Sequence, residues 1–205
     1  MLKIYGRTTS SNVQKVLWLA AEISLPYERQ DVGGSFGGND QPWYLKMNPN
    51  GRVPTIDDDG FILWESNAIV RYLAAKHAPE WVGGGDLRKR AVIEQWMDWL
   101  PTAVAGMVPV FHGLVRLPED QRDPKTIEAG RKVWAKAMTV LDGALVDQDY
   151  LVGATPTAAD LAIGPIAYRW FELPIERPNL RSLEAWYRRL KERAPYRKHV
   201  MAGLA

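Results

Sequence analysis

Three consecutive glycines, Gly83-Gly84-Gly85, divide the chain into halves with different hydrophobic periods. Ahead of them, Leu2-Lys3-Ile4-Tyr5 alternates and reads as a strand. Ser11 to Ile23 puts Val13, Val16, Leu17, Ala20 and Ala21 on one side of a helix. Pro26 to Asp31 fits a second strand, and Val32 to Asn39, rich in Gly and polar residues, a loop. A short helix across Gln41–Met47 ends at Asn48-Pro49-Asn50-Gly51. Two short strands then flank a hairpin turn at Asp57-Asp58-Asp59-Gly60, and Glu65 to His77 reads as a helix. This order predicts one small mixed sheet covered by helices.

After the glycines no strand pattern returns. Asp86 to Val115 carries a long helical period, with kinks expected at Pro101 and Pro109. Ile127 to Val146 is a second helix. Thr157-Ala158-Ala159-Asp160 resembles a capping box, with Asp in place of Glu, ahead of an apolar run to Tyr168. That run predicts a helix buried on most sides. Ser182 to Arg193 is a last amphipathic helix. The expected architecture is an α/β domain over residues 1–82 followed by an all-helical domain over 83–205.

Composition narrows the function classes. With 46% hydrophobic and 24% charged residues, the 205-residue chain is expected to fold rather than stay disordered. It has no Cys, hence no disulfide, thiolate metal site or cysteine nucleophile of its own. Net charge is +2, which argues against nucleic acid as the main partner. The excess of positive charge sits late, between Arg181 and Lys198, and reads as a solvated helix face. Met1 to Arg7 leads no apolar signal core, and no stretch of about 20 apolar residues spans a membrane. The expectation is a cytoplasmic protein without a membrane segment. His77, His112 and His199 show no ligand spacing, and no metal is expected.

Three segments carry chemistry, each beside a plainer reading. In Asn48-Pro49-Asn50-Gly51-Arg52-Val53-Pro54, a proline opens a strand and cannot donate to its ladder. A cis Val53-Pro54 bond would leave the Val53 backbone free to pair with something else; an ordinary trans proline at a strand edge is the base expectation. In Trp64-Glu65-Ser66-Asn67 a strand gives way to a helix, whose free N–H groups and Ser66 hydroxyl suit a carboxylate while Glu65 suits an ammonium. Plain N-capping is the alternative. In Thr8-Thr9-Ser10-Ser11-Asn12 hydroxyls meet the start of a helix, an arrangement that stabilises a thiolate, and capping is again the alternative.

Together these segments, with Ser10-Ser11-Asn12-Val13-Gln14-Lys15-Val16 and Thr157-Ala158-Ala159-Asp160-Leu161, make the chain resemble the cytosolic glutathione transferase family, in its bacterial serine- or threonine-type form. The resemblance spans nearly the whole length. It implies a thioredoxin-like first domain, a helical second domain, a cis proline at Pro54 and a homodimer. Residue by residue, it implies that the Val53 backbone pairs with the cysteinyl part of glutathione and that Glu65 and Ser66 hold its γ-glutamyl end. The thiol-activating hydroxyl falls at Ser10, with Thr9 and Ser11 open because related groups shift it by one. Asn12 matches a position where some members use an amide.

The implied activity joins the glutathione thiolate to a small electrophile, with glutathione as co-substrate. A glutathione-dependent disulfide or peroxide reductase, or a glutathione-binding scaffold, are the alternatives. Trp99, Met107 and Phe111 share one face of the long helix and are candidates for the electrophile pocket, with core packing as the plain reading. Asp98 sits where some members reach across the dimer to the glutathione amino group.

Overall fold

The computed structural model of the protein describes residues 1–204. Its sheet grows from β1 (Leu2–Tyr5), whose Leu2 and Ile4 enter the core. β1 runs parallel to β2 (Tyr27–Gln30) and antiparallel to β3 (Thr55–Asp58), which turns back into β4 (Phe61–Trp64). The strand order is β2-β1-β3-β4. A parallel pair needs a crossover, and α1 (Ser11–Glu22) supplies it. The hairpin is tighter than expected. Asp57 and Asp58 belong to β3, and only Asp59 and Gly60 turn, at φ 52° and 94°. Two positive-φ residues give the turn whose twist matches the strands it joins.

A 3-10 turn at Gly34–Phe36 interrupts the expected loop, and α2 (Pro42–Met47) and α3 (Ser66–His77) complete the first half. This is the thioredoxin-like unit that the resemblance implied. α1 is buried more widely than its apolar stripe, because α3 covers it on one side, taking in Lys15, and the second half on another, taking in Gln14. Trp18 on α1 meets Tyr196 edge to face at 4.8 Å. Gly164 makes that approach possible: a Cβ there would lie 2.6 Å from the Trp18 ring.

The second half is helical throughout. α4 (Leu87–Phe111) runs unbroken through Pro101 and Pro109, where kinks were expected. Proline at 101 leaves the Met97 carbonyl without its helical donor. The Asn67 side chain on α3 donates to that carbonyl at 2.9 Å, so the defect becomes a joint between the halves. The last turn, His112–Arg116, widens into a π-turn. α5 (Pro124–Ala144) starts one turn before the expected Ile127, capped by the Asp123 carboxylate accepting from Lys125 N–H at 3.0 Å. α6 (Ala158–Glu172) is buried at every residue from Ala158 to Trp170. α7 (Arg181–Glu192) turns Leu183, Trp186, Tyr187 and Leu190 inward. α8 (Ala194–His199) was not expected; its Tyr196 fills the core. Among the described residues no helix is long and apolar enough to cross a membrane.

Candidate functional site

The loop from β1 into α1 is fixed from both halves of the chain. Gly6 leaves the strand at φ 151°, where a Cβ would strike Val13 at 2.5 Å. Arg7 N–H donates to Val32 C=O at 3.1 Å. The Gln14 side chain donates to Thr8 C=O at 3.1 Å, and Arg169 on α6 donates to Thr9 C=O at 3.1 Å. Arg169 also donates to the Gln14 side chain at 3.1 Å, closing the arrangement. Arg169 is 2% exposed, and burial pushes its pKa down to about 10.

Ser10 then stands at the N-cap of α1. Its carbonyl accepts the first helical bond from Gln14 N–H at 2.9 Å, but its hydroxyl makes no cap bond among the described residues. Ser10 lines a cleft of about 250 Å³ together with Arg7, Gly33, Gly34, Asn39, Gly51, Arg52 and Val53. Thr9 and Ser11 line neither this cleft nor the one beside it. Asn12 lines the second.

The second cleft, about 80 Å³, is bounded by Asn12, Asn48, Asn50, Arg52, Val53, Pro54, Glu65 and Ser66. Arg52 and Val53 border both clefts, which makes them neighbours. The Val53-Pro54 peptide is cis. Among the described residues neither the N–H nor the C=O of Val53 has a hydrogen-bond partner. The flanking backbone is clamped: Tyr44 OH donates to Arg52 C=O at 2.6 Å, and the Asn48 amide donates to the same carbonyl at 2.7 Å and to Thr55 Oγ1 at 3.1 Å. Sequence reasoning gave Tyr44 and Asn48 no such part. Asn48 in a turn motif was visible; its partners 4 and 7 residues on were not.

Glu65 is the N-cap of α3 at φ 72°, ψ 111°, a conformation costly for a residue with a Cβ. Its side chain is exposed, and Ser66 beside it is buried. The Ser66 hydroxyl accepts from Lys15 Nζ at 3.2 Å and donates to Asn12 Oδ1 at 3.3 Å. Lys15 Nζ also donates to Asn67 Oδ1 at 3.2 Å. Lys15 is wholly buried, and desolvation pulls its pKa down to about 7, against Glu65, which raises it, and with Arg169, which lowers it further. A lysine ammonium and the N-terminus of α3 thus converge behind Ser66, where both favour an anion. Lys15 was quoted in the sequence only as part of a motif.

The three candidates for an electrophile pocket are dispersed. Trp99 is half-buried and packs edge to face on Trp96 at 5.3 Å. Met107 is in the core. Phe111 is half-buried under the guanidiniums of Arg169, at 5.3 Å, and Arg116, at 5.5 Å. Of the three, Phe111 is the one tied to the Thr9-Ser10 loop, through Arg169. Asp98 is exposed and ion-paired with Arg71 of its own chain. Among the described residues no three His, Asp or Glu side chains gather as a metal site.

Known proteins resemble this chain in both of its halves. Residues 1–75 match the family model of the glutathione S-transferase N-terminal domain, and residues 124–189 that of the C-terminal domain. Glutathione S-transferase GstB of Escherichia coli strain K12 is 40% identical over 210 aligned residues, 98% of each chain. The theta class glutathione S-transferase of the citrus canker pathogen Xanthomonas axonopodis pv. citri, with glutathione bound, superposes with a TM-score of 0.96 at 45% identity, over 100% of this chain and 99% of that one. Its apo form gives 0.87 at 40% identity, over 100% and 98%. Both clefts fall wholly within the first matched segment, the fold is shared end to end, and the chain belongs to the glutathione S-transferase family.

Proposed function

We propose that the protein is a glutathione transferase of the serine type, joining the glutathione thiolate to small electrophiles. The observation that carries this reading is Ser10: its hydroxyl is free of capping, it stands at the start of α1, and it lines the cleft that continues past Val53 to Ser66. The γ-glutamyl carboxylate belongs at Ser66, over Lys15 and the N-terminus of α3, and its ammonium at Glu65. The unpaired Val53 backbone takes the cysteinyl amide. This leaves the thiol beside Ser10 and the glycyl end toward Asn39 and Arg52.

The chemical task is ionisation. A thiol of pKa about 8.5 is only about 3% thiolate at pH 7. A hydroxyl donating to sulfur and the positive end of α1 both favour the anion. A downward shift of about 2 units corresponds to about 2.7 kcal/mol and ionises most of the bound thiol. The thiolate then attacks an electrophile held on the helical side near Phe111, and the rest of the catalysis is positioning. Asn12, whose amide carbonyl accepts from Ser66, steadies the γ-glutamyl end rather than the sulfur. The subunit is expected to work as a homodimer. A reduced glutathione co-substrate fits the cytoplasm, where glutathione keeps thiols reduced.

Retention on immobilised glutathione followed by two turnover assays tests the reading. A transferase is retained and converts a chloronitrobenzene to its thioether. Turnover confined to a glutathione disulfide substrate would make it a reductase, and retention without turnover would make it a binding protein.

A further inference from the structure

The guanidiniums of Arg116 and Arg169 share the Phe111 ring, and a third, that of Arg7, borders the cleft that Ser10 lines. Arg7 lies along Gly33-Gly34, where a Cβ on Gly34 would come within 2.9 Å of its Cδ and Nε, and it lines the cleft with Ser10. Arg116 closes the π-turn at the end of α4 and rests on Phe111. Arg169 rests on the same ring from α6. Among the described residues none of the three forms an ion pair. Arg7 is held below the usual arginine range by burial and then by the charge of Arg116. Arg169 feels both Arg116 and Arg7 in the same direction.

Like charges collected without a counter-ion oppose folding, and a cleft lined by one sign of charge concentrates ions of the other. Arg169 has its donors engaged by Thr9, Gln14 and Pro165, so it contributes field rather than a free fork. Arg116 is exposed and Arg7 half-buried, and both are within reach of a ligand. The turn that carries Arg116 is held rigid by Arg122, which donates to Leu114 C=O at 3.1 Å and Leu117 C=O at 3.3 Å. π-turns recur at functional sites.

Glutathione does not account for this charge. On the reading proposed above, its γ-glutamyl carboxylate sits at Ser66; its glycyl carboxylate, near Asn39 and Arg52, shares the cleft with Arg7 but leaves Arg116 and Arg169, on the Phe111 ring, without a counter-ion. We propose that the electrophile is itself an anion: a small carbon electrophile bearing a carboxylate, which Arg116 and Arg7 receive while Phe111 supports its carbon chain. A planar carboxylate matches the guanidinium fork. The step is a simple displacement. The thiol proton leaves to solvent, sulfur forms a bond to the electrophilic carbon, and the leaving group departs with the electron pair of the broken bond. Nothing is oxidised or reduced.

This inference rests on the glutathione reading, and a matched pair of probes separates the two. Iodoacetate and iodoacetamide share the carbon attacked and the iodide that leaves, and differ in charge. The chain has no cysteine to be alkylated in their place. For each, kcat/KM is divided by the rate constant of the uncatalysed reaction at the same pH. The wild-type enhancement should be at least about tenfold greater for iodoacetate, the scale of one charge-assisted contact. Arg116→Gln, at an exposed position, should bring the iodoacetate enhancement down toward that of iodoacetamide. Arg7→Gln should do the same, with thermal melting to confirm that each variant folds. Equal enhancements in the wild type would overturn the inference. So would a fall in both by the same factor on Arg116→Gln, or a rise in the KM for glutathione with no change in the ratio, which would assign the arginines to glutathione's own carboxylate. Turnover of iodoacetamide without preference removes this inference alone; turnover of neither probe, with no glutathione retained, removes the glutathione reading and this inference with it.

Discussion

Lys15 is the residue whose surroundings depart furthest from its chemistry. Its ammonium is wholly buried and, among the described residues, has only two neutral oxygens, Ser66 Oγ and Asn67 Oδ1, at hydrogen-bond distance. With a pKa of about 7 folded against 10.5 in the open, the unfolded chain holds more protons between those values. Stability therefore rises with pH through that window; the cost of burying the charge is fully present below pH 7 and relieved above it. Urea midpoints of the wild type should rise from pH 7 to pH 9, by up to about 2 kcal/mol of stability, before tyrosine ionisation reverses the trend. Lys15→Met should lack that slope, and an equal slope in both proteins would place the titration elsewhere. Ser66 carries a second prediction at this scale. Ser66→Ala removes a hydrogen bond to a charged group, worth about 1.5–3 kcal/mol, so calorimetry should show glutathione affinity about ten- to a hundredfold weaker. Unchanged affinity would remove the γ-glutamyl end from Ser66.

At the scale of elements, α6 is the strut on which the site depends, because it delivers Arg169 to the Thr9 carbonyl. Its start is fixed by the buried Asp160 carboxylate, which accepts from Thr157 N–H at 2.8 Å, Leu151 N–H at 3.1 Å and Trp186 Nε1 at 2.8 Å. Asp160→Ala strands three buried donors at about 1–3 kcal/mol each, so a loss of at least about 3 kcal/mol is expected in chemical denaturation. A loss below about 1 kcal/mol would mean that water replaces the carboxylate. Thr157 and Asp160 were legible in the sequence because a cap is local. So were the start of α1 at Ser10, the Val53-Pro54 turn and the alternation of β1. Lys15, Gln14 and Arg169 were not, since basic and amide side chains are expected outside and their burial comes from contacts such as Arg169 to Gln14, 155 residues apart. The donor that compensates Pro101 was hidden for the same reason: Asn67 lies on another helix. α8 was missed because its six residues are too few for a period to show.

At the scale of the molecule, the two halves share one core. Trp18 packs on Tyr196, Tyr196 OH donates to Gly164 C=O at 2.9 Å, and Arg193 donates to the Glu22 carboxylate at 2.6 and 2.7 Å. Such continuity predicts a single unfolding transition, with sheet and helical signals lost together. Two separated transitions would contradict it. The exposed Val92, Val108, Val133 and Val140 on α4 and α5 leave apolar surface for a second subunit, and sedimentation at micromolar concentration should report a dimer. A monomer there would contradict the proposed assembly.

The whole arrangement turns on one hydroxyl at the start of α1, and one titration tests it. Thiolate absorbance of bound glutathione is followed against pH for the wild type and for Ser10→Ala, with Thr9→Ala, Ser11→Ala and Asn12→Ala beside them. The account predicts a bound thiol pKa well below 8.5 in the wild type, restored upward by about 1–2 units in Ser10→Ala alone, with glutathione affinity little changed. A wild-type titration retained by Ser10→Ala, whether a neighbour's variant shifts or none does, would contradict it.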